Sequence, residues 1–230
     1  MKSKYVFIVV MLLSVSLLSA QSHLVKNLQS GRTQTLVVYG TSISSMRPNG
    51  PLWVKKVEDE LNKKYGNRLT VLNTGRSGQN SNWALKNLED SVLMKRPDAV
   101  IIEFATNDAV TRFNISQEDC RRNTELLITR IKERYPTCEI FLHTPCGYPL
   151  GKNAVNRPEM KAYNGVYESI AKEQKLRYID EAETFVRIAE EQGVPELRKF
   201  AGDGVHPTKR GGLEIIAPNV IRVLEIGWII

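Results

Sequence analysis

The chain has 230 residues, of which 42% are hydrophobic and 25% charged, with 15 glycines and 10 prolines spread along it. This composition excludes collagen-like, coiled-coil and broadly disordered proteins, and the length is enough for one domain with a sizeable core. The formal net charge is +7, but the basic residues are scattered through amphipathic stretches, as solvated helix faces are. We therefore expect no nucleic-acid partner, while acidic glycans or anionic surfaces stay open as partners.

Residues 1–20 have the pattern of a signal peptide. Lys2 and Lys4 give a positive start, an uncharged apolar run follows, and small residues end the stretch at Ala20. The apolar run is shorter than the roughly 20 residues that a membrane-spanning helix needs, although an uncleaved anchor is the alternative. We predict cleavage near Ala20 and export to the periplasm, the cell surface or the medium, with no stable membrane insertion afterwards. Residues 21–230 then form a single domain.

Five short apolar runs typical of buried strands alternate with helical patterns. The predicted strands are Thr35–Tyr39, Leu69–Leu72, Ala99–Phe104, Glu139–His143 and Leu176–Ile179. Between them, apolar residues recur at three- and four-residue spacing, as at Trp53, Val57 and Leu61, which predicts helices with one buried face. A last helical pattern runs from Thr208 to Trp228 and contains Pro218. We expect a kink or a break there, because proline cannot donate the helical hydrogen bond.

This alternation of strands and helices joined by short links predicts a doubly wound α/β domain. A parallel sheet in such a domain is covered by helices on both faces. Ligands of these sheets bind at the carboxyl ends of the strands. The residues that directly follow each strand are therefore the candidates for function.

The three cysteines, Cys120, Cys138 and Cys146, are too few for a disulfide scaffold, and their odd number leaves at least one thiol unpaired. A predicted helix separates Cys120 from Cys138, and an extended run separates Cys138 from Cys146. Both separations exceed the roughly 7 Å that a disulfide can span between Cα atoms. Cys120 and Cys146 could meet at one sheet edge, and the sequence leaves open whether they form a bond.

Small and polar residues follow the first three strands. Ser42 comes directly after the first strand in the run Gly-Thr-Ser-Ile-Ser, Gly75 follows the second in Asn-Thr-Gly-Arg-Ser-Gly, and Asn107 follows the third in Ala-Thr-Asn-Asp. Glycine lets a backbone turn its amides toward a ligand, and an asparagine side chain can supply a further N–H donor. Taken singly, each run is also typical of a turn or a helix cap.

The chain has three histidines. His23 lies near the predicted mature terminus and is a poor candidate for catalysis. His143 ends the fourth strand with no carboxylate close to it in sequence, which favours a buried or cleft-lining role. His206 follows Asp203 by three residues, and an aspartate so placed can orient an imidazole and stabilise its charged form. His206 is therefore the predicted general base.

Together, these four segments resemble the SGNH hydrolases, also called the GDSL esterase and lipase family, over nearly all of residues 21–230. The matching blocks are Gly40-Thr41-Ser42-Ile43 for the nucleophile, Gly75 for the glycine block, Thr106-Asn107-Asp108 for Gly-x-Asn-Asp, and Asp203 with His206 for Asp-x-x-His. A Gly-x-Ser-x-Gly elbow is absent from the sequence, which argues against the α/β-hydrolase fold.

The resemblance implies a three-layer α/β/α sandwich with a five-stranded parallel sheet in flavodoxin-like order. It implies Ser42 as nucleophile, His206 as general base and Asp203 as the acid that orients it. The oxyanion hole would consist of the backbone amides of Ser42 and Gly75 and the side chain of Asn107. It implies no cofactor and no metal.

Two positions depart from the pattern of the family. Thr41 stands where the family has the Asp of its GDSL motif, and Ala105 stands where the third block has Gly. Neither change removes a reacting atom. Both concern the hydrogen bonding of the nucleophile loop and the width of the cleft beside Asn107.

We therefore predict an exported serine esterase that hydrolyses carboxylic esters of small molecules or glycans. Short links leave little chain for a lid, which favours small acyl groups such as acetyl on a carbohydrate. The first alternative is a long-chain lipase or thioesterase of the same fold. The second is a non-catalytic glycan-binding domain, which the altered nucleophile block motivates.

Overall fold

The computed structural model describes residues 21–45, 50 and 52–226. The predicted signal peptide, residues 1–20, lies outside the described residues, as does Trp228. Within the described part of the chain, no helix combines the length and the apolar character needed to cross a membrane.

Five parallel strands form one sheet, in the order β2-β1-β3-β4-β5. The strands are β1 (Gln34–Gly40), β2 (Leu69–Asn73), β3 (Ala99–Glu103), β4 (Glu139–Thr144) and β5 (Arg177–Asp180). All five predicted strands are confirmed to within two residues at each end. Gly40 at the end of β1 is in register with Glu103 at the end of β3, so the segments after these strands emerge side by side.

Helices cover both faces of the sheet, which confirms the predicted three-layer α/β/α sandwich. In chain order the helices are α1 (His23–Gln29), α2 (Trp53–Tyr65), α3 (Ser81–Ser91), α4 (Ala105–Asp108), α5 (Gln117–Arg134), α6 (Lys152–Asn156), α7 (Met160–Glu173), α8 (Ala182–Gln192), α9 (Val194–Phe200), α10 (Lys209–Gly211) and α11 (Ala217–Ile226). On one face, α3, α5 and α7 pack in a row, and on the other α2 packs against α11 beside α1.

The core is built from the three inner strands, β1, β3 and β4, and the inner faces of the helices. Every residue of β3, including the charged Glu103, is buried. Trp53, at the start of α2, and Tyr39 in β1 are among the largest fully buried side chains. Burial of so much apolar surface stabilises the sheet. In the same surroundings, burying the Glu103 carboxylate is costly unless it is hydrogen-bonded.

The last helical segment bends by a change of helix type. Thr208 caps its start by accepting a hydrogen bond from the Gly211 amide, and Gly212–Ile216 then form a π-helical turn that leads into α11. Pro218 lies in the first turn of α11. The predicted disturbance thus takes the form of a π turn just before the proline, and the helix continues beyond it.

All three cysteines are buried and free. The Cys146 thiol donates to the Gly204 carbonyl oxygen at 3.1 Å, whereas the Cys120 thiol lies against Asp108. The conceivable Cys120–Cys146 disulfide is therefore not formed, because the two thiols face different partners.

Candidate active site

Ser42 lies just beyond the carboxyl end of β1, in a tight turn at the edge of the sheet. Its side-chain Oγ is 2.9 Å from His206 Nε2, although the two residues are far apart in sequence. The serine is 8% exposed, so it is largely shielded while still reaching the surface of the cleft. Of the three serines in this loop, Ser42 is the one that contacts the imidazole.

Asp203 holds His206 from the other side. Its Oδ2 is 2.8 Å from His206 Nδ1, and its Oδ1 accepts hydrogen bonds from the backbone amides of Val205 at 3.0 Å and His206 at 2.7 Å. Partial burial alone would raise the pKa of Asp203, but these hydrogen bonds outweigh it and hold the pKa well below its usual range. The carboxylate is therefore ionised at neutral pH and fixes the orientation of the imidazole.

The segment after β4 supports the Asp203–His206 loop. The Leu150 amide donates to the Asp203 carbonyl oxygen at 3.0 Å. Gly204 has a φ of +75°, and a Cβ there would lie 1.9 Å from the Tyr148 carbonyl oxygen. Only glycine fits this position, because both the backbone conformation and the close approach exclude a side chain.

Glu103 supports the nucleophile loop from below. Its carboxylate accepts hydrogen bonds from the Thr41 amide at 2.9 Å, from the Thr41 hydroxyl at 2.9 and 3.0 Å, and from the Ser44 hydroxyl at 3.1 Å. Gly40 allows this approach, since a Cβ there would lie 2.6 Å from Glu103 Oε2. Thr41, the departure from the family pattern, is thus a hydrogen-bond donor to a buried carboxylate.

Burial raises the pKa of Glu103 to about 6, against the opposing effects of the Thr41 hydrogen bonds and the charge of His143. Trp53 also holds the loop, because its indole Nε1 donates to the Ile43 carbonyl oxygen at 3.0 Å. The conformation around Ser42 therefore depends on residues from β3 and α2.

His143 is fully buried, which agrees with the first of its two expected roles, a buried or a cleft-lining one. Its Nε2 is hydrogen-bonded to the Glu181 carboxylate, and its ring packs edge-on against Trp53 with the centroids 5.3 Å apart. Burial lowers the pKa of His143, but the adjacent Glu181 carboxylate outweighs that effect and raises it overall. Glu181 also accepts a hydrogen bond from Asn219. The His143–Glu181 pair thus lies in the core next to Trp53, the residue that holds the nucleophile loop.

Asn107 lies in α4, directly after β3, and is 5% exposed. Its Nδ2 donates to the Gln79 carbonyl oxygen at 2.7 Å, so one of its two N–H groups is engaged with the loop after β2. Its Oδ1 accepts from Arg157 Nη2 at 3.3 Å. The side chain thus bridges this loop to a buried arginine.

Gly75 packs against the nucleophile loop, since a Cβ there would lie 3.1 Å from both Ser44 Cβ and the Ser45 amide nitrogen. Its own amide donates to Asn73 Oδ1 at 3.0 Å. Three residues on, the Gly78 amide donates to no atom of the described residues, and it lies between Ser77, which touches Ser45, and Gln79, which touches Asn107. Of the backbone amides in this loop, that of Gly75 already has an acceptor, whereas those of Ser77 and Gly78 have none among the described residues.

Of the residues predicted for the site, the structure joins Ser42, His206 and Asp203 by direct hydrogen bonds. It places Gly75 in the loop after β2 and Asn107 in α4, directly after β3. Among the described residues, no group of three or more His, Cys, Asp or Glu side chains could hold a metal ion.

Sequence reasoning missed Glu103, Arg157 and Glu181. A signal for Glu103 was present, because a charged residue at the end of an otherwise apolar strand is unusual in a buried parallel sheet. Arg157 had no such signal, because it lies in an irregular segment among many scattered basic residues.

A five-stranded parallel sheet of this order, covered by helices on both faces, is the fold of the SGNH class of hydrolases. Residues 38–212 match the GDSL-like Lipase/Acylhydrolase family, and the chain belongs to that family. It is therefore a member of a hydrolase family of the lipase and esterase type.

Solved structures agree with this assignment. A lipase/acylhydrolase from Enterococcus faecalis is 26% identical, with a TM-score of 0.69 over 83% of this chain and 94% of that one. A catalytic mutant of Axe2, an acetylxylan esterase from Geobacillus stearothermophilus, is 23% identical, with a TM-score of 0.69 over 86% of this chain and 97% of that one. Among curated proteins, no relative matches the chain.

Proposed function

We propose that the protein is a serine esterase in which Ser42 is the nucleophile, His206 the general base and Asp203 the residue that orients the base. The observation that supports this most strongly is the continuous hydrogen-bonded chain from Ser42 Oγ through both ring nitrogens of His206 to Asp203 Oδ2, at 2.9 and 2.8 Å. This is the arrangement that activates a serine hydroxyl.

The reaction has two half-reactions. His206 Nε2 takes the proton of Ser42 as Oγ bonds to the ester carbonyl carbon, and then delivers it to the alcohol that leaves. A water molecule, deprotonated by His206, attacks the acyl-enzyme, and the carboxylic acid departs as Ser42 regains its proton. The Asp203 carboxylate offsets the charge of the imidazolium in both steps.

The oxyanion would be held by the Ser42 amide, by the second N–H of Asn107 Nδ2, and by an amide of the loop after β2. Gly75 remains the predicted donor in that loop. Its amide also donates to Asn73 Oδ1 at 3.0 Å, so it would share its hydrogen between that acceptor and the oxyanion. Donors that are already oriented toward the developing charge need no reorganisation during the reaction.

We further propose small acyl esters of carbohydrates as substrates. The fold shared with an acetylxylan esterase supports this choice. Short links between elements favour small acyl groups, but the segment 145–159 after β4 is a longer connection that includes α6. A long-chain lipase or thioesterase therefore remains the alternative, and a substrate screen has to distinguish it from an esterase for small acyl groups. A purely glycan-binding role is disfavoured, because the Ser42–His206 hydrogen bond is intact.

Export is also part of the proposal. Cleavage after Ala20 would leave α1 whole, and α1 is anchored in the domain: Ser22 caps it, and the Ser22 amide donates to the Leu224 carbonyl oxygen at 3.1 Å. N-terminal sequencing of the protein from the exported fraction would give Gln21 as the first residue. A protein that retained residues 1–20 in the membrane fraction would support the uncleaved anchor instead.

A fluorophosphonate probe tests the nucleophile directly. We expect one covalent adduct, mapped by peptide mass spectrometry to Ser42, and no adduct in Ser42→Ala. Ser169→Ala removes a partly exposed serine of α7 that bonds to Glu173 and should label like the wild type. An adduct on Ser44 or Ser45, or ester turnover that survives Ser42→Ala, would contradict the proposal.

A substrate screen then separates the classes of ester. The purified protein would be assayed on acetylated xylan oligosaccharides, on aryl acetate and on long-chain aryl esters, with Ser42→Ala in parallel. We expect turnover of acetyl esters and little of long-chain esters. The reverse preference would favour the lipase or thioesterase alternative.

A further inference from the structure

Arg157 is a buried cation whose partners are neutral. It lies just before α7 and is only 8% exposed. Its acceptors among the described residues are the Thr106 carbonyl oxygen at 2.9 Å from Nε, Asn153 Oδ1 at 2.9 Å from Nη1 and Asn107 Oδ1 at 3.3 Å from Nη2. Burial lowers the pKa of this guanidinium. No carboxylate bonds directly to the guanidinium, and the Asp203 carboxylate acts on it through its charge alone, so burying this cation is costly.

Two of these three contacts join Arg157 to the segment that carries the candidate oxyanion donor. Nε holds the backbone of Thr106, and Nη2 holds the side chain of Asn107. The planar guanidinium makes both contacts in one fixed geometry, which a flexible ammonium group cannot reproduce. Arg157 therefore contributes to holding Asn107 in position relative to the end of β3.

The orientation of the Asn107 amide is fixed from both ends. Arginine can only donate hydrogen bonds, and the Gln79 carbonyl oxygen can only accept them. A flipped amide would place N–H groups against the guanidinium and an oxygen against the Gln79 carbonyl. Contact with a cation at Oδ1 also polarises the amide, which makes the N–H groups of Nδ2 stronger donors.

We propose that Arg157 is a positioning residue for ester hydrolysis, which acts through Asn107 by fixing and polarising the amide that binds the oxyanion. This inference rests on the proposed function, because it assigns Asn107 a place in the transition state. The expected effect is on kcat, since the oxyanion exists only in the transition state and the substrate carbonyl gains little from the same donor.

The test is a double-mutant cycle on a folded protein assayed with an aryl acetate. Arg157→Met keeps the length of the side chain but removes its charge and its donors, and we expect kcat to fall by about 10- to 100-fold with little change in KM. In the Asn107→Ala background the same change should lower kcat by less than about 3-fold, because the residue through which Arg157 acts is gone.

Arg177→Met is the matched control. Arg177 pairs with Glu139 at the opposite end of the sheet, at 2.6 Å, so its loss should lower the melting temperature and leave kcat unchanged. Should Arg157→Met fail to fold, Arg157→Lys takes its place in both backgrounds, because it keeps the buried charge but cannot contact all the acceptors.

Three results would overturn the inference: wild-type kcat in a folded Arg157 variant, a change confined to KM, or an equal fold-change in kcat with and without Asn107. Failure of the proposed function has a separate signature. In that case the wild-type protein would show no ester turnover that Ser42→Ala abolishes, before any Arg157 variant is compared.

Discussion

The two loops that meet at the candidate active site are held in different ways. The Asp203–His206 loop contains its main interaction, since the aspartate and the histidine are three residues apart and bond through both side chain and backbone. The Ser42 loop depends on distant residues, because the Glu103 carboxylate that binds Thr41 is 62 positions away.

This difference shows which parts of a site can tolerate change. In the loop of His206, the two reacting groups bond to each other, so a substitution of either acts directly on catalysis. In the loop of Ser42, the support is a buried hydrogen-bond network below the nucleophile. There, a departure such as Thr41 is accommodated as long as the donor that faces Glu103 is kept.

Removing the base should have the largest effect. We expect His206→Ala to lower kcat by about 10⁵- to 10⁶-fold, because the serine and the base act as a unit. His143→Ala, the same change in the buried histidine, should leave kcat within about 10-fold of the wild-type value. It should mainly destabilise the fold, because it leaves a cavity beside the buried Glu181 carboxylate. Steady-state kinetics and urea unfolding of both variants check this.

The reverse pattern, with activity lost in His143→Ala and kept in a folded His206→Ala, would contradict the assignment of the Asp203–His206 loop to catalysis. It would mean that the buried histidine reaches the substrate and that the Asp203–His206 pair is structural.

The orienting acid should rank second. Asp203→Asn keeps the size of the side chain but removes the charge that offsets the imidazolium, and we expect kcat to fall by about 10³- to 10⁴-fold. Fluorophosphonate labelling of Ser42 should slow in parallel. Near-normal kcat in this variant would show that the backbone contacts of the loop, and not the carboxylate, hold the ring.

Local patterns made much of this predictable from sequence. Periodicity gave the five strands, and the three-residue spacing of Asp203 and His206 gave the base and its partner. The contacts that depend on tertiary register were out of reach: Glu103 meets Thr41 because β1 and β3 end level, and Arg157 meets Asn107 across a long connection. The order of the strands and the roles of Ser42, Gly75 and Asn107 came from the family resemblance.

The third prediction tests the network below the nucleophile. Thr41→Asp would introduce the residue that the family has here, directly against the buried Glu103 carboxylate. Two carboxylates cannot both be ionised in such a site, so we expect a loss of about 3 kcal/mol or more in the free energy of unfolding at pH 8. Thr41→Ser keeps the donor hydroxyl and should cost less than about 1.5 kcal/mol. Urea titrations at pH 8 measure both.

Equal stabilities of Thr41→Asp and Thr41→Ser would show that Glu103 is not the constraint on position 41. The support of the nucleophile loop would then have to come from Trp53 and the backbone, and the contrast between the two loops would weaken.

The smallest effect concerns the dependence of stability on pH. Burial raises the pKa of Glu103 to about 6, so the folded protein binds a proton there more tightly than the unfolded chain does. This contribution to stability is fully present below the unfolded pKa of about 4.5 and is lost as the pH rises through about 6; it amounts to about 2 kcal/mol. Glu103→Gln resembles the protonated form and should lack this loss. We therefore expect its free energy of unfolding, relative to wild type, to improve by about 2 kcal/mol between pH 4.5 and pH 7.5 in urea titrations.

Asp108, another buried carboxyl with its pKa raised to about 6 by burial, provides the comparison. Asp108→Asn should remove a separate and additive part of the decrease in stability with rising pH. If the free energies of unfolding of wild type and Glu103→Gln changed equally with pH, the Glu103 carboxylate would be fully stabilised by its hydrogen bonds to Thr41 and Ser44. Its ionisation would then not destabilise the fold.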